Sequence, residues 1–103
     1  MIYLVTKQQS LWTSDRYKVI SAEEALELLA PLNVVELDTE TMGLDPYTKE
    51  LLTVQLGCAD FQVVIDCTSV DIHLFKEYME NPQRIFLGWN IKFDLKFLYH
   101  QRI

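Results

Sequence analysis

An α/β fold, a mixed β-sheet with helices packed on it, is what these 103 residues predict, and three observations predict it. Strand-like runs rich in β-branched residues alternate with stretches of helical periodicity. Three of those runs follow one another with only turn residues between them, which is most simply an antiparallel meander. Half of the residues are apolar and there are only three glycines and three prolines, the balance of a globular chain. A chain of this length supports one core, and no linker, repeat or low-complexity tract divides it.

The elements follow in order. Tyr17 to Ile20 forms a short strand, and Ser21 and Glu24 then supply the two halves of a capping box for a helix over Ala22 to Ala30. Pro31 and Asn33 end that helix, and Val34 to Glu40 is a strand leading into the turn residues Met42, Gly43, Leu44, Asp45 and Pro46. Leu51 to Gly57 and Phe61 to Asp66 pair as a hairpin across Cys58, Ala59 and Asp60. Val70 to Met79 reads as helix, Asn81 and Pro82 break it, and Arg84 to Leu87 is a further strand. From Asn90 the pattern is helical, with Phe93, Phe97 and Leu98 on one stripe and no stop signal before Ile103.

Composition excludes several functions. The formal charge of −6 gives no overall electrostatic footprint for phosphate backbones, so a nucleic-acid ligand would need metal ions to bridge it. Cys58 and Cys67 are spaced for neither a disulfide framework nor a zinc knuckle and read as core thiols in a reducing compartment. The opening apolar run is too short for a signal peptide and nothing approaches a membrane span, so a cytoplasmic protein with no membrane partner is expected.

Two constellations could carry chemistry. Asp38 and Glu40 stand at i and i+2 near a strand end, so their side chains leave one face roughly 7 Å apart at the backbone. Both can reach one cation. Acidic residues are also common where strands run into solvent, but Val34, Val35 and Leu37 mark a buried strand, where carboxylates are costly unless something positive or a donor meets them. The second constellation is Trp89 to Asp94. If Asn90 caps the last helix, Asp94 lies one turn further along the same face.

Together these residues resemble a known family. Leu37 to Thr41, with Gly43, Leu44, Asp45 and the run Leu52 to Gly57, resembles the first motif of the DnaQ-like or DEDD exonucleases, in particular the proofreading domain of family A DNA polymerases. Gly88 to Asp94 resembles their second motif, an Asn followed by an aromatic residue and an Asp. The resemblance, from about Tyr17 onward, implies a ribonuclease H-like fold and removal of nucleotides from DNA 3′ ends by two magnesium or manganese ions. It implies that Asp38 bridges both ions, that Glu40 holds the ion carrying the attacking water, and that Asp94 holds the other. Hard carboxylate oxygens suit such ions, and two carboxylates about 4 Å apart repel by roughly 4 kcal/mol at an effective dielectric of 20 without them. The resemblance further implies that Thr39, Thr41, Leu44, Asn90 and Phe93 hold the terminal nucleotide of a single strand.

Three departures accompany it. The family's third motif, a Tyr or His followed by an Asp, is not present, because no acid follows Tyr99 and His100. Residues 1–103 are therefore expected to be a partial exonuclease domain, inactive alone and self-associating through exposed apolar surface, in a protein that a polymerase domain could follow. Trp89 stands where Gln or His is usual, and Glu36 shares the Asp38 face where a small residue is usual. A ribonuclease D-like exoribonuclease has the same motif skeleton, and a module that binds nucleic acid or a partner without cutting is the alternative outside enzymes.

Overall fold

The computed structural model describes residues 1–8, 16–41, 51–88 and Leu98. The elements are β1 (Ile2–Val5), β2 (Tyr17–Val19), α1 (Ala22–Leu29), β3 (Val34–Thr41), β4 (Leu51–Gly57), β5 (Gln62–Asp66), a 3₁₀ turn (Ile72–Phe75), α2 (Lys76–Glu80) and β6 (Ile85–Leu87). Six strands form one mixed sheet in the order β2-β1-β5-β4-β3-β6. The expected meander is present, with β4 antiparallel to both β3 and β5. Parallel pairs flank it: β6 on β3, and β1 between β5 and β2.

Each expected element within the described residues has a counterpart, with ends that move by a few residues. The helix expected over Val70 to Met79 begins as the 3₁₀ turn, because the Asp71 carboxylate accepts from the His73 amide and tightens the start. The capping box forms as read, with the Glu24 amide donating to Ser21 Oγ at 3.1 Å and Glu24 reaching back to the Ser21 amide at 3.4 Å. Strand β1 has no counterpart in the sequence reading. Its four residues form a continuous apolar run with no turn signal, and its partners lie far along the chain.

Alternation in β3 sorts the sheet into two faces. Val35, Leu37 and Thr39 are buried, while Val34, Glu36, Asp38 and Glu40 are exposed. The buried face continues through Val54 and Leu56 of β4 and Val63 and Ile65 of β5, and joins Ala25 and Leu29 of α1, Phe75 and Tyr78 in one core. Leu98 is buried in the same cluster, which accords with the apolar stripe read for the last helix. Cys67 packs against this core and Cys58 is half-buried; both are free thiols. Burial first, and the adjacent Asp66 charge second, push the Cys67 thiol up to about 12.

Two polar knots tie distant segments together. Arg84 lies 3.8 Å over the Tyr78 ring and donates to the carbonyls of Leu32, Tyr78 and Ala30 at 2.9, 3.1 and 3.3 Å. It thus satisfies acceptors left open where α1 ends, and sets the start of β6 beside the start of β3. The second knot is Asp66, only 3% exposed. Thr6 Oγ1 and Ser69 Oγ donate to its Oδ2 at 2.6 and 2.8 Å, and the Thr68 hydroxyl and amide donate to its Oδ1 at 2.5 and 3.1 Å.

Burial raises the Asp66 pKa, but the bonds from Thr6, Thr68 and Ser69 outweigh it and hold the carboxyl below the ordinary aspartate value. A lowered folded-state pKa gives stability that is complete above the unfolded value, near 3.9, and is lost as pH falls through the folded one. Asp66→Ala should therefore lose roughly 2–4 kcal/mol at neutral pH, because it removes the acceptor of the buried Thr6 hydroxyl together with the bonds from Thr68 and Ser69. Urea unfolding of both proteins from pH 7 to pH 2 should show the two stability curves converging at the acid end.

Candidate active site

The acids expected to hold metal come from the open face of β3. Asp38 and Glu40 are exposed side by side along it, and period-two alternation places both on the face away from the core. Asp38 Oδ1 accepts the amide of Thr39 at 2.9 Å, which folds that carboxylate back on its own strand. Glu40 has no such bond among the described residues. Salt bridges among the described residues reach Asp71 and Glu80, not Asp38 or Glu40.

The ladder beside the acids is irregular. Asp38 faces Gln55 and Glu40 faces Thr53, but the next pair is Thr41 with Leu51, so Leu52 is an extra residue on β4. Such bulges bend the strand and re-aim the side chains next to them. Thr39 is buried on the core side, so its hydroxyl does not share the face of the acids, and its amide is the one taken by Asp38. Thr41 is half-buried at the strand end. Leu44, Asn90, Phe93 and Asp94 lie outside the described residues, and among those described no group of three acids, histidines or cysteines converges to hold a metal.

A cleft adjoins Asp38, lined by Glu36, Leu37, Gln55, Gln62, Leu87 and Gly88. Gly88 directly follows β6 and opens the second motif, so the parallel pairing of β6 with β3 brings the start of that motif to the first. Glu36 also finds its explanation here. Gln62 Nε2 donates to Glu36 Oε2 at 3.1 Å and to the Cys58 carbonyl at 2.9 Å, bridging from β5 to β3 across the intervening Gly57.

Glycine is required at that crossing. A Cβ on Gly57 would collide with the Phe61 carbonyl and come within 2.9 Å of Gln62. Gly57→Ala should cost about 1–3 kcal/mol by overpacking and release Gln62 from Glu36. Chemical denaturation measures the first effect, and the side-chain amide resonances of Gln62 the second.

Comparison with known proteins places this geometry. A family model described as 3′-5′ exonuclease matches residues 17–103. No curated protein matches the chain. Among solved structures, the catalytic core of RRP6 from Trypanosoma brucei superposes with a TM-score of 0.72 at 15% identity, over 97% of this chain and 25% of its own. Escherichia coli RNase D, an exoribonuclease involved in structured RNA processing, gives 0.67 at 18% identity, over 92% of this chain and 23% of its own. NrnC of Brucella melitensis with bound Mg²⁺ gives 0.60 at 26% identity, over 67% of this chain and 36% of its own. The chain thus spans well under half the length of these structures, and the sheet is of their ribonuclease H-like kind. With its residues 17–103 matched and both acids of the first motif on the open face, the chain belongs to the 3′-5′ exonuclease family.

Proposed function

We propose that Asp38 and Glu40 are the first-motif metal ligands of a two-metal nuclease site that shortens single strands from the 3′ end. The observation that carries this is the cleft in which Asp38 meets Gly88, the start of the second motif. Asp38 and Glu40 are exposed acids with no cation beside them among the described residues, and hard oxygens without a positive partner suit magnesium or manganese. Asp94 would complete the set from the second motif. Bound ions of this kind supply an activated water and neutralise charge on the entering and leaving oxygens.

The chain's own residues do the rest. The Thr39 amide holds one oxygen of Asp38 and leaves the other for a ligand. Gln55 offers an amide group along the cleft and Leu87 an apolar wall, a lining that can accept a strand end. Asn90, Phe93 and Leu44 are proposed to flank the terminal base, with Thr41 at the strand end. An apolar or aromatic face of this kind serves any base.

DNA is the proposed substrate, on the first- and second-motif pattern shared with polymerase proofreading domains. RNA is the second reading, favoured by the likeness to RNase D and RRP6. The test is a 5′-labelled single strand of one sequence in both sugars, incubated with manganese and the full product of the gene. A ladder of 3′-shortened species is expected, faster on DNA and reduced at least about 100-fold by Asp38→Ala. A faster ladder on RNA would favour the second reading, and no ladder on either strand would sink the nuclease assignment.

A further inference from the structure

One polar group on the open face is out of place. The hydroxyl of Thr53 is sealed from solvent and has no hydrogen-bond partner. Leaving a buried hydroxyl unpaired costs about 1–3 kcal/mol, and valine would fit a strand position at least as well. The ladder shows what could take this proton. Thr53 is on the middle strand, opposite Glu40 of β3 on one side and Asp66 of β5 on the other.

Asp66 cannot be the acceptor. Each of its oxygens already takes two donors, from Thr6 and Ser69 on Oδ2 and from the Thr68 hydroxyl and amide on Oδ1, and four is the capacity of a carboxylate. Glu40 has no hydrogen bond among the described residues and is exposed. Residues opposite each other in a ladder have Cβ atoms about 4.5–5.5 Å apart, and a glutamate is long enough to bring its carboxylate to a hydroxyl at that distance. The pair also sits at the last regular rung before the bulge at Leu52, where the local twist re-aims side chains.

We infer that Thr53 is a positioning residue for Glu40: its hydroxyl donates to the Glu40 carboxylate when that carboxylate takes up a divalent cation. The inference rests on the proposed metal site. A ligating carboxylate is held in one rotamer by a second hydrogen bond, and loss of such a partner typically weakens metal binding 10–100-fold. In the metal-free chain the donor waits unpaired, so the group that favours the bound state disfavours the empty one. This opposition separates a positioning role from plain packing.

The experiment compares the full product of the gene with its Thr53→Val, Thr53→Ser and Glu40→Gln variants, by calorimetric titration with manganese and by thermal unfolding in a chelator. Thr53→Val should bind manganese about 10-fold more weakly and yet melt several degrees higher without metal, while Thr53→Ser stays near the parent chain in affinity. In the Glu40→Gln background, Thr53→Val should bring no further loss of affinity. Unchanged affinity in Thr53→Val would overturn the inference and leave the metal site standing. A lower melting point for metal-free Thr53→Val would also overturn it, since the hydroxyl would then have a partner at rest. Absence of any manganese binding that depends on Glu40 would bring down the site and the inference together.

Discussion

The alternation of β3 is the constraint on which the rest of this structure depends. Val35, Leu37 and Thr39 must enter the core, and because the strand period is two, Glu36, Asp38 and Glu40 are driven together onto the other face. A one-residue slip would bury three carboxylates and expose the centre of the core. Register is therefore held by hydrophobic burial on one side, and the spacing of the acids on the other side is its by-product. A site built this way has Asp38 and Glu40 on one face before either carboxylate is oriented.

The same sheet face shows three treatments of a carboxylate. Asp66 is buried and fully satisfied, Asp38 has one oxygen held by a backbone amide, and Glu40 has no hydrogen bond among the described residues. Only the first is a structural acid in the ordinary sense, because its desolvation is compensated in place. Asp66 is on β5, beside β1, whereas Asp38 and Glu40 are both on β3, where Asp38 lines the cleft. Charge left without local compensation is thus concentrated where an external cation could supply it.

What could be read from the sequence was whatever rests on short-range pattern. The alternation of Val34 to Glu40, the capping box at Ser21 and Glu24, the meander and the break at Asn81 and Pro82 each fall within a window of a few residues, and each is found. The pairing of Asp38 with Glu40 on one face was equally legible, since it follows from spacing alone. What escaped depends on residues far apart in the chain: β1 between β2 and β5, the Thr6 to Asp66 bond, and the reach of Gln62 over Gly57 to Glu36. Glu36 looked anomalous for that reason. Its partner is 26 residues away and can be named only once the register of three strands is known.

Strand β1 carries a consequence for where this domain can be said to start. The family match begins at residue 17, so β1 lies outside it, yet β1 supplies the ladder that joins β2 to the sheet and covers the edge of β5. A chain begun at the matched boundary would keep every aligned position while leaving β2 without that ladder and β5 with a bare row of amides and carbonyls, a template for pairing with other chains. The matched segment and the hydrogen-bonded sheet therefore have different borders here, and the sheet's is the larger.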